Sequence, residues 1–217
     1  MNRPEMLSTW ELFLGEISRN ISPNKEAIRN NLQFLIDRNA CSAEYFNAIV
    51  SVRYMAAYEQ AINEYLHPPT EFKQANIKAE LIHFGSLFEG ILHILLSNLY
   101  NNNGFTLEDY NSWFSSSKAR NLVIENQKFC KKQKRGRISS LQLKQLIQTL
   151  KYWNQNKNGS DAQFADFVRV IDMLREERNM VHVDAMISSN MLHQEYKLVE
   201  IREKWLDFIG IIKDKIQ

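Results

Sequence analysis

An all-α helical bundle is the fold class this chain predicts, and three observations predict it. Apolar residues recur at three- and four-residue steps through most of the sequence, the pattern of helices with one buried face. Seven glycines and four prolines are too few for a turn-rich β protein, while Glu, Lys, Leu, Gln and Ala, all good helix formers, are frequent. No strand pattern competes, because short apolar runs such as Ile91 to Leu96 lie inside longer helical periodicity. At 217 residues the chain suits one domain, or one domain with an added subdomain.

The elements follow in order. Helices are predicted at about 5–19, 24–39, 42–66, 71–101, 118–133, 139–155, 160–187 and 190–215. Pro23 closes the first, and Pro68-Pro69 separates the third from the fourth, which Thr70 is expected to cap. Asn101-Asn102-Asn103-Gly104 stops the fourth, and a loop or short helix from Thr106 to Ser117 carries Tyr110, Trp113 and Phe114. Lys134 to Arg137 reads as a turn, and Ser139 or Ser140 opens the sixth helix. Asn154 to Gly159 ends that helix, and Ser160-Asp161-Ala162-Gln163 reads as a capping box for the seventh. The fourth and seventh helices are expected at the centre. Residues 1–66 read as an N-terminal helical extension or subdomain, and 67–217 as the bundle proper.

Charge is uneven. The net charge is +2, but residues 118–137 hold eight basic side chains against Glu125 alone, +7, which leaves −5 for the remainder. Within that block, Lys128, Lys131, Lys132, Lys134, Arg135 and Arg137 are candidate RNA-backbone contacts, since a basic block on a mildly acidic body suits an anionic partner. The alternative is a solvated loop and helix end. Cys41 and Cys130 show neither metal-ligand spacing nor a disulfide framework, which fits a reducing cytoplasm. The N-terminus lacks a signal pattern and no run of 18 apolar residues occurs, so a cytoplasmic protein with no membrane partner is expected.

The most informative stretch is Leu174-Arg175-Glu176-Glu177-Arg178-Asn179-Met180-Val181-His182. One face of its helix runs through Phe164, Val168, Ile171, Arg175, Arg178, His182 and Ala185, in steps of 4, 3, 4, 3, 4 and 3. Apolar residues fill the stripe first, then two arginines and a histidine take over. Burying unpaired charge is costly, so these groups need a partner or a task. Arginine is a permanent cation whose fork matches phosphate, and histidine moves protons near neutral pH. Together they meet the minimum for metal-free RNA cleavage, the histidine as base on a ribose 2′-hydroxyl and the arginine stabilising phosphate charge.

The fourth helix offers a complement. Glu89 is flanked by Gly85 and Gly90, so a neighbouring backbone can approach closely, and Glu89 is placed to pair with Arg178 or to orient His182. Ser86 stands one turn earlier and is placed to add a hydrogen bond.

Ser86-Leu87-Phe88-Glu89-Gly90-Ile91-Leu92, followed much later by Leu174 to Arg178-Asn179-Met180-Val181-His182, resembles the HEPN superfamily over about residues 75–215. The resemblance implies an all-α, usually dimeric bundle. It further implies a metal-independent endoribonuclease of toxin–antitoxin, phage-defence or RNA-processing type, without cofactor, with an antitoxin or defence protein as a partner. In that family an arginine, four to six residues with a polar one next to the arginine, and a histidine meet a second copy of the motif across the dimer. Members that have lost catalysis bind nucleic acid or partners. Carried over, Asn179 takes the polar position and His182 the histidine. Arg178 and His182 enclose only three residues, while Arg175 and His182 enclose six, with Glu176 after the arginine. The chain is similar to an Arg-Asn-x-x-His-Pro subgroup, except that Val183 stands in place of the proline.

Blander readings stand beside these. Arg175, Arg178, His182 and Glu89 can form a structural network joining helices or subunits, and Asn179 can simply face solvent. Glu64-x-x-His67 and Glu80-x-x-His83 have the spacing used in di-iron bundles. They lack a bridging carboxylate pair, so no metal is expected and Glu80 and His83 read as surface or helix-packing residues. His93 and His193 read as structural. Trp10, Trp113, Trp153 and Trp205 read as packing residues, and Tyr110 to Phe114 either stacks bases or packs on the bundle.

Overall fold

The computed structural model describes residues 15, 19, 22–101, 142–179 and 195–216, and among these the regular structure is helical, with no strand. The helices are α1 (Lys25–Leu32), α2 (Phe34–Asp37), α3 (Ala43–Leu66), α4 (Thr70–Asn101), α5 (Leu143–Asn156), α6 (Ala162–Asn179), α7 (Glu195–Glu203) and α8 (Trp205–Lys215). The all-α bundle is thus what forms. The expected helix at 118–133, the basic block, Tyr110 to Phe114, Ser139 and Ser140, Trp10, Trp113, Cys130, His182 and His193 lie outside the described residues.

α4 is the axis of the bundle. α3 runs along one side, α5 and α6 cover others, and α7 and α8 close the packing. Its segment Phe72–Leu99 has a mean hydropathy of 1.4, enough by length and composition to cross a membrane, but 61% of it is buried inside the protein. Burial of that share inside the protein is what a central bundle helix shows. Phe84, Phe88, Phe164, Phe167 and Phe208 are fully buried, joined by Trp153 and Trp205. Phe167 meets Phe208 edge-on at 5.1 Å and Trp153 meets Phe164 at 5.2 Å. Each such side chain contributes about 1.5–3 kcal/mol by leaving water. Leu32, Leu35, Phe46, Ile49 and Val50 belong to the same apolar cluster, so the chain on both sides of residue 66 shares one core.

Local chemistry sets the helix ends. Asn24 caps α1 through its side chain, which accepts from the Ala27 N–H at 2.9 Å, and Ser42 accepts from Tyr45 at the start of α3. α3 stops at His67, which adopts a left-handed conformation (φ 44°) ahead of the two prolines. Thr70 is not the cap of α4. It is the first helical residue, and the Lys73 N–H bonds to the carbonyl of Pro69. The start of α6 also differs from expectation. Ser160 sits at φ 57° and Asp161 takes the cap, its carboxylate accepting from the N–H groups of Gln163 (2.9 Å) and Phe164 (3.1 Å). The carboxylate of Asp161 also binds Lys215. Asn154, nearly buried, ties the turn together by donating to the carbonyl of Asp161.

Two helices expected as single units are interrupted. The N–H of Gln33 bonds back only three residues, to Asn30, which separates α1 from α2, and Lys204 divides α7 from α8. Cys41 lies just before α3, between the two predicted helices.

Candidate functional site

The stripe on α6 changes character as the sequence implies. Phe164, Val168 and Ile171 are fully buried, the side chain of Arg175 is 18% exposed and that of Arg178 is 34% exposed. The helix therefore leaves the core where its apolar residues give way to arginine. At that point Arg175, Arg178 and Asn179 line a solvent-open cavity of about 570 Å³ with Glu89 and Ile82 of α4, and with Gln142, Leu143 and Lys144 at the start of α5.

Glu89 and Arg178 meet there. The Arg178 guanidinium donates from Nη1 to Oε2 of Glu89 at 3.1 Å, and both side chains keep about a third of their surface in water. Arg175 turns to its own helix, donating to Asp172 at 2.8 Å and Glu176 at 3.2 Å. Lys151 holds the other oxygen of Asp172 at 2.6 Å. Burial works against ionising Asp172, yet Lys151 and Arg175 together hold its pKa below the ordinary carboxylate value. Asn179 is exposed at the cavity edge. Among the described residues the cavity thus gathers three cations, Arg175, Arg178 and Lys144, and one lining carboxylate, Glu89. The first turn of α5 adds the partial positive charge of a helix N-terminus.

The two glycines beside Glu89 differ. At Gly85 the close neighbour is a side chain, not a backbone: a Cβ there would stand 2.6 Å from Cδ of Arg178 and 3.4 Å from Nε. At Gly90 a Cβ would meet the Tyr45 hydroxyl at an ordinary 3.5 Å. Burial pushes the pKa of that hydroxyl up, and the neighbouring Cys41 and Glu89 push it further, so it stays protonated beside the carboxylate.

A second charged cluster was not foreseen. Glu80, expected as a surface or helix-packing residue, is the latter and is 0% exposed. Both its oxygens are taken by Arg202 of α7, at 2.7 Å from Nε and 2.5 Å from Nη2, and Arg202 also reaches Glu64 at 3.7 Å. Burial pushes the Glu80 carboxyl above its ordinary value, while Arg202 and then Arg53 hold part of the rise back. Arg53 of α3 lies over the rings of Phe84 (5.3 Å) and Trp205 (5.0 Å). Its Nε and Nη1 are buried and have no hydrogen-bond partner among the described residues. Burial lowers its pKa to about 10, with Glu80 opposing and Arg202 adding to the fall. A signal for this cluster was present. Ile77, Glu80, Phe84, Leu87, Ile91 and Ile94 follow steps of 3, 4, 3, 4 and 3, and all are buried. Glu80 interrupts an apolar stripe just as Arg175 and Arg178 do.

Glu177, one residue before Arg178, is also nearly buried and binds Lys197 of α7. The last turn of α6 thus sends an acid toward α7 and a base toward α4. Among the described residues no three His, Cys, Asp or Glu side chains converge as a metal-binding group, and Glu80 is fully engaged by Arg202. Comparison with protein-family models, with curated proteins and with solved structures finds no match to this chain.

Proposed function

We propose that the cleft between α4, α5 and α6 binds RNA phosphate, and that the chain acts as a HEPN-like, metal-independent endoribonuclease of a toxin or defence type, cytoplasmic and homodimeric. One observation carries this reading: the apolar stripe of α6 ends in two arginines that line an open cavity instead of a sealed core. Arg178, a third exposed, can exchange its carboxylate for a phosphate at modest cost, since solvent-accessible ion pairs are worth about 0–1 kcal/mol. In the proposed reaction Arg178 takes the scissile phosphate, and His182 accepts the proton of the neighbouring 2′-hydroxyl. That oxygen attacks phosphorus, and the P–O5′ bond breaks with the 5′-oxygen taking a proton from water, giving a 2′,3′-cyclic phosphate. Glu89, which holds Arg178 before the phosphate arrives, orients the guanidinium. Lys128, Lys131, Lys132, Lys134, Arg135 and Arg137 extend the contact along the RNA backbone.

A second reading has its own support. Arg178 and Arg175 each already have a carboxylate partner, as in a dimeric RNA-binding or protein-interaction module that does not cleave. Incubating the purified protein with mixed cellular RNA in EDTA separates the two. The enzyme reading expects cleavage that falls by about 10²–10⁴ in rate in His182→Ala. RNA that stays intact while binding persists selects the non-catalytic module.

A further inference from the structure

Gly85 has no task in the apolar core, yet it faces the most functionally loaded side chain of the cleft. The Arg178 stem crosses α4 at this residue, and a Cβ on Gly85 would lie 2.6 Å from Arg178 Cδ, far inside contact distance, with Nε and Nη1 at 3.4 and 3.5 Å. One atom of the side chain, Cδ, therefore stands in the space that a Cβ at position 85 would fill, while Nε and Nη1 lie at ordinary contact distance from it. One turn later on the same helix Glu89 receives Nη1 at 3.1 Å. Stem and head are held separately, the stem by the notch and the head by the carboxylate.

We infer that Gly85 is a positioning residue, a notch in α4 that seats Arg178 so that its guanidinium stays at the cleft when Glu89 gives way to a phosphate of RNA. The inference rests on the reading of the cleft as an RNA site. Its physical logic is that an arginine side chain alone has many rotamers, and fixing its stem in advance removes ordering cost from the moment of binding. Gly85 sits inside a helix of 32 residues, where glycine is otherwise less favourable than alanine, so the close approach is what its missing Cβ serves. Gly90 is the internal control. The same substitution there meets only ordinary contacts, at 3.5 Å or more.

The test is a double-mutant cycle of Gly85→Ala and Arg178→Ala, with Gly90→Ala alongside, read by thermal melting and by anisotropy with a labelled single-stranded RNA oligonucleotide. Gly85→Ala is expected to lower Tm while Arg178 is present, and to leave Tm unchanged or raise it in the Arg178→Ala background. Gly90→Ala is expected to keep the wild-type affinity. Gly85→Ala and Arg178→Ala should each weaken RNA binding by roughly tenfold, the scale of one charge-assisted hydrogen bond, and the double variant by no more than either alone. If Gly85→Ala does not fold, recovery of the fold in the double variant supports the notch and failure to recover overturns it. Equal Tm shifts in both backgrounds overturn the notch whatever the RNA data show. Coupled melting with RNA affinity unchanged in Arg178→Ala leaves the packing intact and overturns the RNA reading on which the positioning role depends.

Discussion

Glu80 and Glu89 of α4 stand about two and a half turns apart and so on opposite faces. Each pairs with an arginine from later in the chain, yet the two sites are physically unlike. Glu80 is sealed, bound on both oxygens by Arg202 and flanked by Arg53, which lies over two aromatic rings. Glu89 makes one hydrogen bond among the described residues, to Arg178 at the wall of an open cavity. A sealed pair costs desolvation that only complete hydrogen bonding offsets, and it resists rearrangement. An open pair holds little energy and can trade partners. The difference teaches that an acid–arginine contact is no guide to function until its exposure is known. The closed cluster fixes how α3, α4 and α7 meet, and the open one is where an anion from outside can enter.

The comparison breaks most visibly at Glu80. Glu80→Ala leaves Arg202 and Arg53 together without their shared carboxylate, and stranding buried charge costs about 3–5 kcal/mol. Urea denaturation should show that loss. A cost near that of a surface substitution would mean that the cluster is not sealed.

The start of α6 gives a smaller effect, and a pH-dependent one. The Asp161 pKa lies below its ordinary 3.8, chiefly through the Phe164 N–H and then Lys215. A depressed carboxylate stabilises fully above its unfolded value, and that contribution is lost as the pH falls through the lower folded value. Asp161→Ala should cost about 1 kcal/mol at neutral pH. Asp161→Asn keeps a capping oxygen but cannot titrate, so its stability relative to wild type should improve as the pH drops below 3.8. Melting curves across that range check both the size and the sign.

Glu89→Ala should be the mildest change to the fold. Its side chain is 29% exposed and Arg178 can turn to solvent, so the expected loss is no more than about 1 kcal/mol. A loss as large as that of Glu80→Ala would erase the distinction between the two sites and make Glu89 a structural anchor.

What the sequence disclosed follows the same divide. Periodicity placed the helices because each buries one stripe, and the failure of that stripe at Arg175 and Arg178 located the cleft. Glu89 was legible from the glycines around it, although the reason differed, since Gly85 admits the Arg178 side chain and not a backbone. The Glu80 cluster was missed because Glu80 was read against a metal motif instead of against its stripe, where Ile77 and Phe84 flank it. Arg53 and Arg202 were harder still. Their partners lie far away in the chain, Arg202 reaching Glu80 across 122 positions, and no local pattern encodes such a meeting. The shift of the α6 cap from Ser160 to Asp161 escaped because Ser160 adopts φ 57°, a choice made by the turn that Asn154 organises.

The central claim is that Arg178 serves a ligand and not the fold. Binding of an RNA oligonucleotide to wild type and Arg178→Ala, measured over a series of salt concentrations beside urea denaturation of both proteins, tests it most directly. Arg178→Ala should bind RNA more weakly, with a salt slope shallower by about one, and keep a stability within about 1 kcal/mol of wild type. A variant that binds RNA as wild type does while losing several times that stability would contradict it.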